Sequence, residues 1–176
     1  MNKKWIALFS HTGSEIVNIS NRLDRIPDKI ITNQPPGGDI IHEGVRDVVY
    51  SNTKPNVMDY RRLLDEDAII TLHGWMRIIP GSICKSHDIY NLHPGLITKY
   101  PELKGADPQK KVFDMHNPPS HVGCVIHRAS DEVDSGEILM ESSMNNSYYS
   151  EKRLTEALHE MAGYMWVSFL EDKLEC

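Results

Sequence analysis

Cysteine is scarce in this chain of 176 residues: Cys84, Cys124 and Cys176 stand far apart and form no C-x-x-C pair. An odd count at such spacings suggests neither a disulfide framework nor a zinc clamp. A basic excess is missing as well. The 19 Lys and Arg stand against 25 Asp and Glu, a formal charge of -6, which argues against a nucleic-acid surface. Long hydrophobic runs are absent too. Trp5 to Phe9 follows the basic pair Lys3-Lys4 but stops at Ser10, too short for a signal segment and far too short to span a membrane. Walker, G-x-G-x-x-G, G-x-S-x-G and H-E-x-x-H motifs do not occur, so ATP, dinucleotide, serine-hydrolase and zinc-peptidase chemistries lose their support. The pairs His87/His93 and His121/His127 match no metal-ligand spacing, and no metal is expected. What remains is one cytoplasmic domain over residues 1–176, with no membrane and no nucleic-acid partner.

Short apolar runs alternate with amphipathic stretches. Trp5–Phe9 reads as a strand covered on both faces, and Ile16, Ile19 and Leu23 then recur at helical spacing. Lys29–Thr32, Val45–Tyr50, Asp67–His73 and Ser86–Leu92 read as further strands. Residues 33–39 and 74–80 read as loops. Asn56 is placed to cap a helix through Leu64, and Pro108 to His116 looks helical. Residues 123–128 and 136–140 are strands split by an acidic turn, close enough to bring an antiparallel element. Glu151 to Leu170 is a closing helix with Leu154, Leu158, Met161, Met165 and Phe169 on one stripe. The pattern predicts an α/β fold: a three-layer, Rossmann-like, mostly parallel twisted sheet with helices on both faces.

Three segments carry chemistry. Ser10-His11-Thr12-Gly13-Ser14 opens a helix after a strand, where free N–H groups and the positive dipole end suit an anion; the plainer reading makes Ser14 only a cap. Asn91-Leu92-His93-Pro94-Gly95 follows a strand, and Asn91 and His93 project to one side of it. An amide beside an imidazole suits an oxyanion, whereas an isolated N-x-H is a structural histidine. Asp134, in Ser130–Gly136, is able to hold an imidazolium charged, or the turn is simply solvated.

Taken in order, these segments resemble the folate-dependent formyltransferase family. Asn91–Leu96 with Tyr100–Gly105 is similar to its N-x-H-P-[SG]-L-L-P…G segment. Gly123–His127 followed by Asp131–Leu139 is similar to its G-x-[ST]-V-H…D-x-x-D-x-G-x-I-[IL] segment. The resemblance implies a catalytic trio of Asn91, His93 and Asp134. It also implies a folate site formed by Trp75, Met76, Arg77, Ile78 and Ile79 with Asp131 and Val133, and an acceptor site formed by Thr12, Gly13, Ser14, Pro94 and Glu160. The implied donor is 10-formyltetrahydrofolate, used as a co-substrate with no metal. The implied partner is a small-molecule amine, phosphorylated glycinamide ribonucleotide of purine biosynthesis first, and a homodimer is compatible with it. A sugar-nucleotide amine is the alternative acceptor, favoured by Pro108 in a G-x-x-P segment, and a catalytically silent folate-binding module is the non-enzymatic alternative. Glu15 stands where the ribonucleotide enzymes usually carry Asn, and Ala157 where they carry Gln.

Overall fold

All five side chains of Trp5–Phe9 are buried, as a continuous apolar run inside a two-sided sheet requires. In the computed structural model, which describes residues 3–35 and 37–174, this run is β1 of a seven-stranded sheet. Met1, Asn2, Pro36 of the expected 33–39 loop and Cys176 lie outside the described residues. The other strands are β2 Lys29–Thr32, β3 Val48–Tyr50, β4 Ile69–His73, β5 Asp88–His93, β6 His121–Arg128 and β7 Ile138–Asn145. Their order is β3-β2-β1-β4-β5-β6-β7. The first five pair in parallel, and β6 and β7 are antiparallel, so the late pair supplies the antiparallel element.

Alternation along β1 divides the core. Trp5, Ala7 and Phe9 pack with α1 (Ser14–Leu23), α4 (Pro108–Asp114) and α5 (Glu151–Leu174), while Ile6 and Leu8 pack with α2 (Val57–Leu63) and α3 (Gly81–Ser86). Helices therefore cover both faces. α1 buries Ile16 and Ile19 as its period predicts. Its N-cap, Gly13, is left-handed with φ 71°, and a Cβ there would stand 3.0 Å from Val45 Cγ2. Asn56 caps α2 as expected, accepting from the Met58 and Asp59 N–H groups.

Several boundaries differ from the sequence reading. β3 begins at Val48 rather than Val45, because Asp47 turns the chain at φ 53° and Val45 N–H is spent on the His42 carbonyl. The six-residue α3 was not expected, and its neighbour β5 starts at Asp88 because His87 caps that helix. β7 runs to Asn145, past the apolar residues, and α5 runs to Leu174, whose side chain is buried.

The chain winds outward from β1 to β3, then returns to place β4 on the other side of β1. The connections after β1 and β4 therefore leave toward opposite layers, opening a crevice at the strands' carboxyl ends. One bond ties its two lips: Met76 N–H donates to Ser10 Oγ at 2.9 Å.

Candidate active site

Pairing of β5 with β6 sets Asn91 opposite His127 and His93 opposite Val125. Asp134 arrives from the turn between β6 and β7 with φ 46°, a left-handed conformation that Asp tolerates. Gly136 lets that turn close, since a Cβ there would lie 1.7 Å from the Arg128 carbonyl oxygen.

The Asp134 carboxylate is the hub. Its Oδ2 lies 3.1 Å from His93 Nδ1 and accepts the Gly105 N–H at 2.8 Å. Its Oδ1 lies 3.3 Å from His127 Nε2 and 3.5 Å from Asn91 Nδ2. Burial alone would push its pKa up. Hydrogen bonds from His127 and His93, the His93 charge and the Gly105 N–H together outweigh burial and hold it far below the usual carboxylate range.

His93 is pinned from its other side as well, Nε2–H donating to the Leu103 carbonyl at 2.8 Å. Both ring nitrogens thus face acceptors, and a ring that donates twice is an imidazolium. Asn91 joins the same cluster, its Nδ2 lying 3.2 Å from His127 Nε2 and, at the limit of a hydrogen bond, 3.5 Å from Asp134 Oδ1. The cluster places a cation and an amide donor beside one another with a fixed anion behind them, an arrangement that stabilises a developing oxyanion.

These groups open on a cavity of about 370 Å³ whose walls include Leu72, Gly74–Ile79, Asn91–Pro94, Gly105, Ala106, His127 and Val133. Trp75 and Ile79 are buried beneath it, and Trp75 Nε1–H donates to the Tyr60 hydroxyl at 3.1 Å. Burial pushes the Tyr60 phenol up to about 12, so it stays a neutral anchor. Met76, Ile78 and Val133 are at least half exposed on the lip, an apolar rim leading to a polar floor that suits a flat, largely apolar ligand with one reactive polar end.

The sequence-predicted residues do not all converge. Asn91, His93 and Asp134 meet, and Trp75, Met76, Ile78, Ile79, Val133 and Pro94 line the cavity with them. Arg77 lines it too, but its guanidinium is turned outward to the Thr53 and Met76 carbonyls. Asp131 is not a wall of this cavity. Its carboxylate lies against the start of α3, 2.4 Å from where a Gly81 Cβ would sit, and with burial it pushes the Cys84 thiol up to about 11. Thr12, Gly13 and Ser14 form the mouth of α1, with Thr12 Oγ1 donating to Ser14 Oγ at 3.0 Å. Glu160 does not join them. It pairs with Arg22 at 3.7 Å in the last turn of α1, about 12 Å along the helix axis from Ser14 at 1.5 Å per residue. There it borders a separate groove with Met144, Tyr148, Met161 and Tyr164.

Two participants were not singled out in the sequence as site residues. His127 belongs to the Gly123–His127 segment, and its signal is the antiparallel register that sets it across from Asn91. Gly105, φ 83°, contributes a backbone N–H, for which a side-chain search offers no signal.

Residues 8–170 match the sequence profile of the family described as formyl transferase. Over 81 residues the chain is 37% identical to a phosphoribosylglycinamide formyltransferase of Dictyostelium discoideum, covering 41% of this chain and 38% of that protein. Over 90 residues it is 33% identical to a methionyl-tRNA formyltransferase of Thermotoga neapolitana, covering 51% of this chain and 27% of that protein. Both matches therefore span well under half of the relative's own length. The crystal structure of phosphoribosylglycinamide formyltransferase from Campylobacter jejuni superposes with a TM-score of 0.76 at 22% identity, covering 95% of each chain, a likeness of fold.

Proposed function

Since the chain belongs to the formyl transferase family, we propose that it moves a formyl group from 10-formyltetrahydrofolate to the amine of a small acceptor. Glycinamide ribonucleotide of purine biosynthesis is the acceptor to try first. The observation that carries this reading is the convergence of Asn91, His93 and Asp134 on one apolar-lipped cavity. The cavity's lining supports the donor reading: Trp75, Ile79 and Leu92 form apolar walls, and Asn91, His93 and Asp134 form a polar floor.

The transfer forms a bond from the acceptor nitrogen to the formyl carbon and breaks the bond from that carbon to the folate nitrogen. One proton passes from the first nitrogen to the second. The formyl oxygen becomes an oxyanion on the way, and Asn91 supplies an N–H to it. His93 supplies charge rather than a free N–H, because both of its nitrogens are engaged. Asp134, ionised far below its ordinary range, keeps His93 cationic and oriented; so strongly held a carboxylate is a poor proton carrier.

Tetrahydrofolate release tests the reading, measured by absorbance with glycinamide ribonucleotide, with sugar-nucleotide amines and with no acceptor. Release that requires an amine is expected. Release without one indicates hydrolysis, and donor binding without release from any mixture would leave a folate-binding module.

A further inference from the structure

The sheet has two edges, and they are unlike. β3, at one end, is three residues long, and so short an edge offers little to another strand. β7, at the other end, runs for eight residues as Ile-Leu-Met-Glu-Ser-Ser-Met-Asn. It contains no Lys and no Pro, residues that ordinarily blunt an edge. Its one carboxylate, on Glu141, is drawn back to the Thr98 hydroxyl of the same chain. A register shift at Ile126/His127 leaves Leu139 unmatched, so the regular stretch covers residues 140–145.

The ladder with β6 fixes which backbone groups are free. Asn146 N–H donates to the Ser120 carbonyl at 2.8 Å, one step beyond the Asn145–His121 pair. Bonded pairs alternate along an antiparallel ladder, so Met140, Ser142 and Met144 also turn their N–H and C=O toward β6. The Ser142 carbonyl oxygen accordingly stands 2.0 Å from where a Gly123 Cβ would sit. Glu141, Ser143 and Asn145 turn theirs outward, and among the described residues no backbone group bonds to them there.

The side chains alternate as well. Met140, Ser142 and Met144 are half-buried on the face toward α5, whereas Glu141, Ser143 and Asn145 are exposed on the other. Beside Ser142 and Met144, that α5 face opens into a groove of about 460 Å³ walled by Tyr148, Met161, Tyr164 and Met165. The groove lies where the inward side chains of one more strand would fall. Free backbone groups with an apolar trough beside them are the two parts of a strand-addition site.

We infer that β7 docks a second copy of this chain, the two β7 strands pairing antiparallel about a two-fold axis at Ser142. The strand is complementary to itself there. Glu141 faces Ser143 of the second copy; both carry outward N–H and C=O groups, so each symmetric pair exchanges both of its backbone bonds. Met140 faces Met144 of the second copy over the groove, adding apolar contact on the α5 side. An axis at Glu141 would set two carboxylates directly opposite each other, which is unfavourable; the axis at Ser142 keeps them apart. A second copy brings this match by symmetry. The contact is independent of the formyl-transfer reading, since none of its residues lines the catalytic cavity.

Sedimentation velocity over a concentration series should show wild type passing from monomer to dimer. Ser143→Pro removes one outward N–H from each copy without touching the β6 ladder, and should weaken the dimer at least about tenfold. Ser143→Thr keeps that N–H and should retain the dimer. Cysteine crosslinking reads the register. Ser142→Cys sets two thiols across a non-bonded pair, with Cα atoms about 4.5 Å apart, a spacing a disulfide spans. Mild oxidation should therefore give a covalent dimer. Ser143→Cys, which faces Glu141 rather than itself, should crosslink no more than oxidised wild type. A wild type that stays monomeric throughout overturns the inference. So does a dimer left unchanged by Ser143→Pro at wild-type melting temperature, or a Ser142→Cys that crosslinks no better than Ser143→Cys. Where Ser143→Pro is destabilised, the crosslinking comparison decides alone.

Discussion

Neighbouring strands β4 and β5 each end in a histidine facing a carboxylate, His73 with Glu15 at 2.8 Å and His93 with Asp134 at 3.1 Å. The two pairs nevertheless carry opposite electrostatics. The nitrogen of His93 remote from the carboxylate meets a backbone carbonyl, which only accepts, so the ring is a cation and Asp134 is compensated. The remote nitrogen of His73 meets a hydroxyl that is itself committed as an acceptor, so the ring is neutral and Glu15 is not compensated. The third group in each chain, not the His–carboxylate contact, decides whether the pair presents a positive or a negative face. One pair suits an oxyanion; the other presents a carboxylate.

The largest expected effect breaks the positive member. Asn91→Ala or His93→Ala removes an oxyanion-stabilising group, and loss of one such donor typically lowers turnover about 10²–10³-fold. Steady-state tetrahydrofolate release should show that fall in kcat, with circular dichroism unchanged. Near-normal turnover in both variants would mean that the β5 end is not the reaction centre.

Next in size is the buried end of the negative member. Thr71→Val keeps the shape but removes the hydroxyl, leaving Trp5 Nε1–H without an acceptor and His73 Nε2 without a donor. Each stranded buried group costs about 1–3 kcal/mol. Urea unfolding should show a loss of that order while kcat with a given acceptor stays near wild type. No loss of stability would remove the basis for a neutral His73.

The two pairs were unequally legible in the sequence. Asn91 and His93 lie two residues apart on one strand, but spacing alone leaves them a structural pair, and only the resemblance of the ordered motifs to the formyltransferase family joins Asp134 to them. His127 needed the β5–β6 register. Glu15 and His73 are 58 residues apart and meet only because the chain returns past β1 to form β4, a crossover that no local pattern encodes. Glu160 lies apart from Thr12–Ser14 for a related reason: one helix has two ends, and a position on α5 does not say which of them it faces. In the fold, β1 and β4 were readable because all five side chains of each are buried, which leaves short runs dominated by apolar residues. The second half of β7 was not, since Ser142, Ser143 and Asn145 lie on an edge strand whose outer side is polar. Helix α3, six residues with only Ile83 and Cys84 buried, is too short to express a period.

The smallest effect vanishes at neutral pH and appears only in acid. The pKa of Asp134 is lower in the folded protein than in the unfolded chain, where an ordinary aspartate titrates near about 3.9. The folded state then binds that proton less readily, so the carboxylate contributes its full stability above about pH 4–5 and loses it progressively as the pH falls toward the folded value. Asp134→Asn has no proton to bind, and its melting temperature should fall less steeply than wild type below about pH 4. Glu15→Gln serves as the contrast, because it removes a carboxylate from the mouth of α1 and leaves the Asp134 hub in place. Its acid slope should follow wild type. Equal acid slopes for wild type and Asp134→Asn would mean that the N–H donors around Asp134 do not hold it ionised, and the cationic assignment of His93 would fall with them.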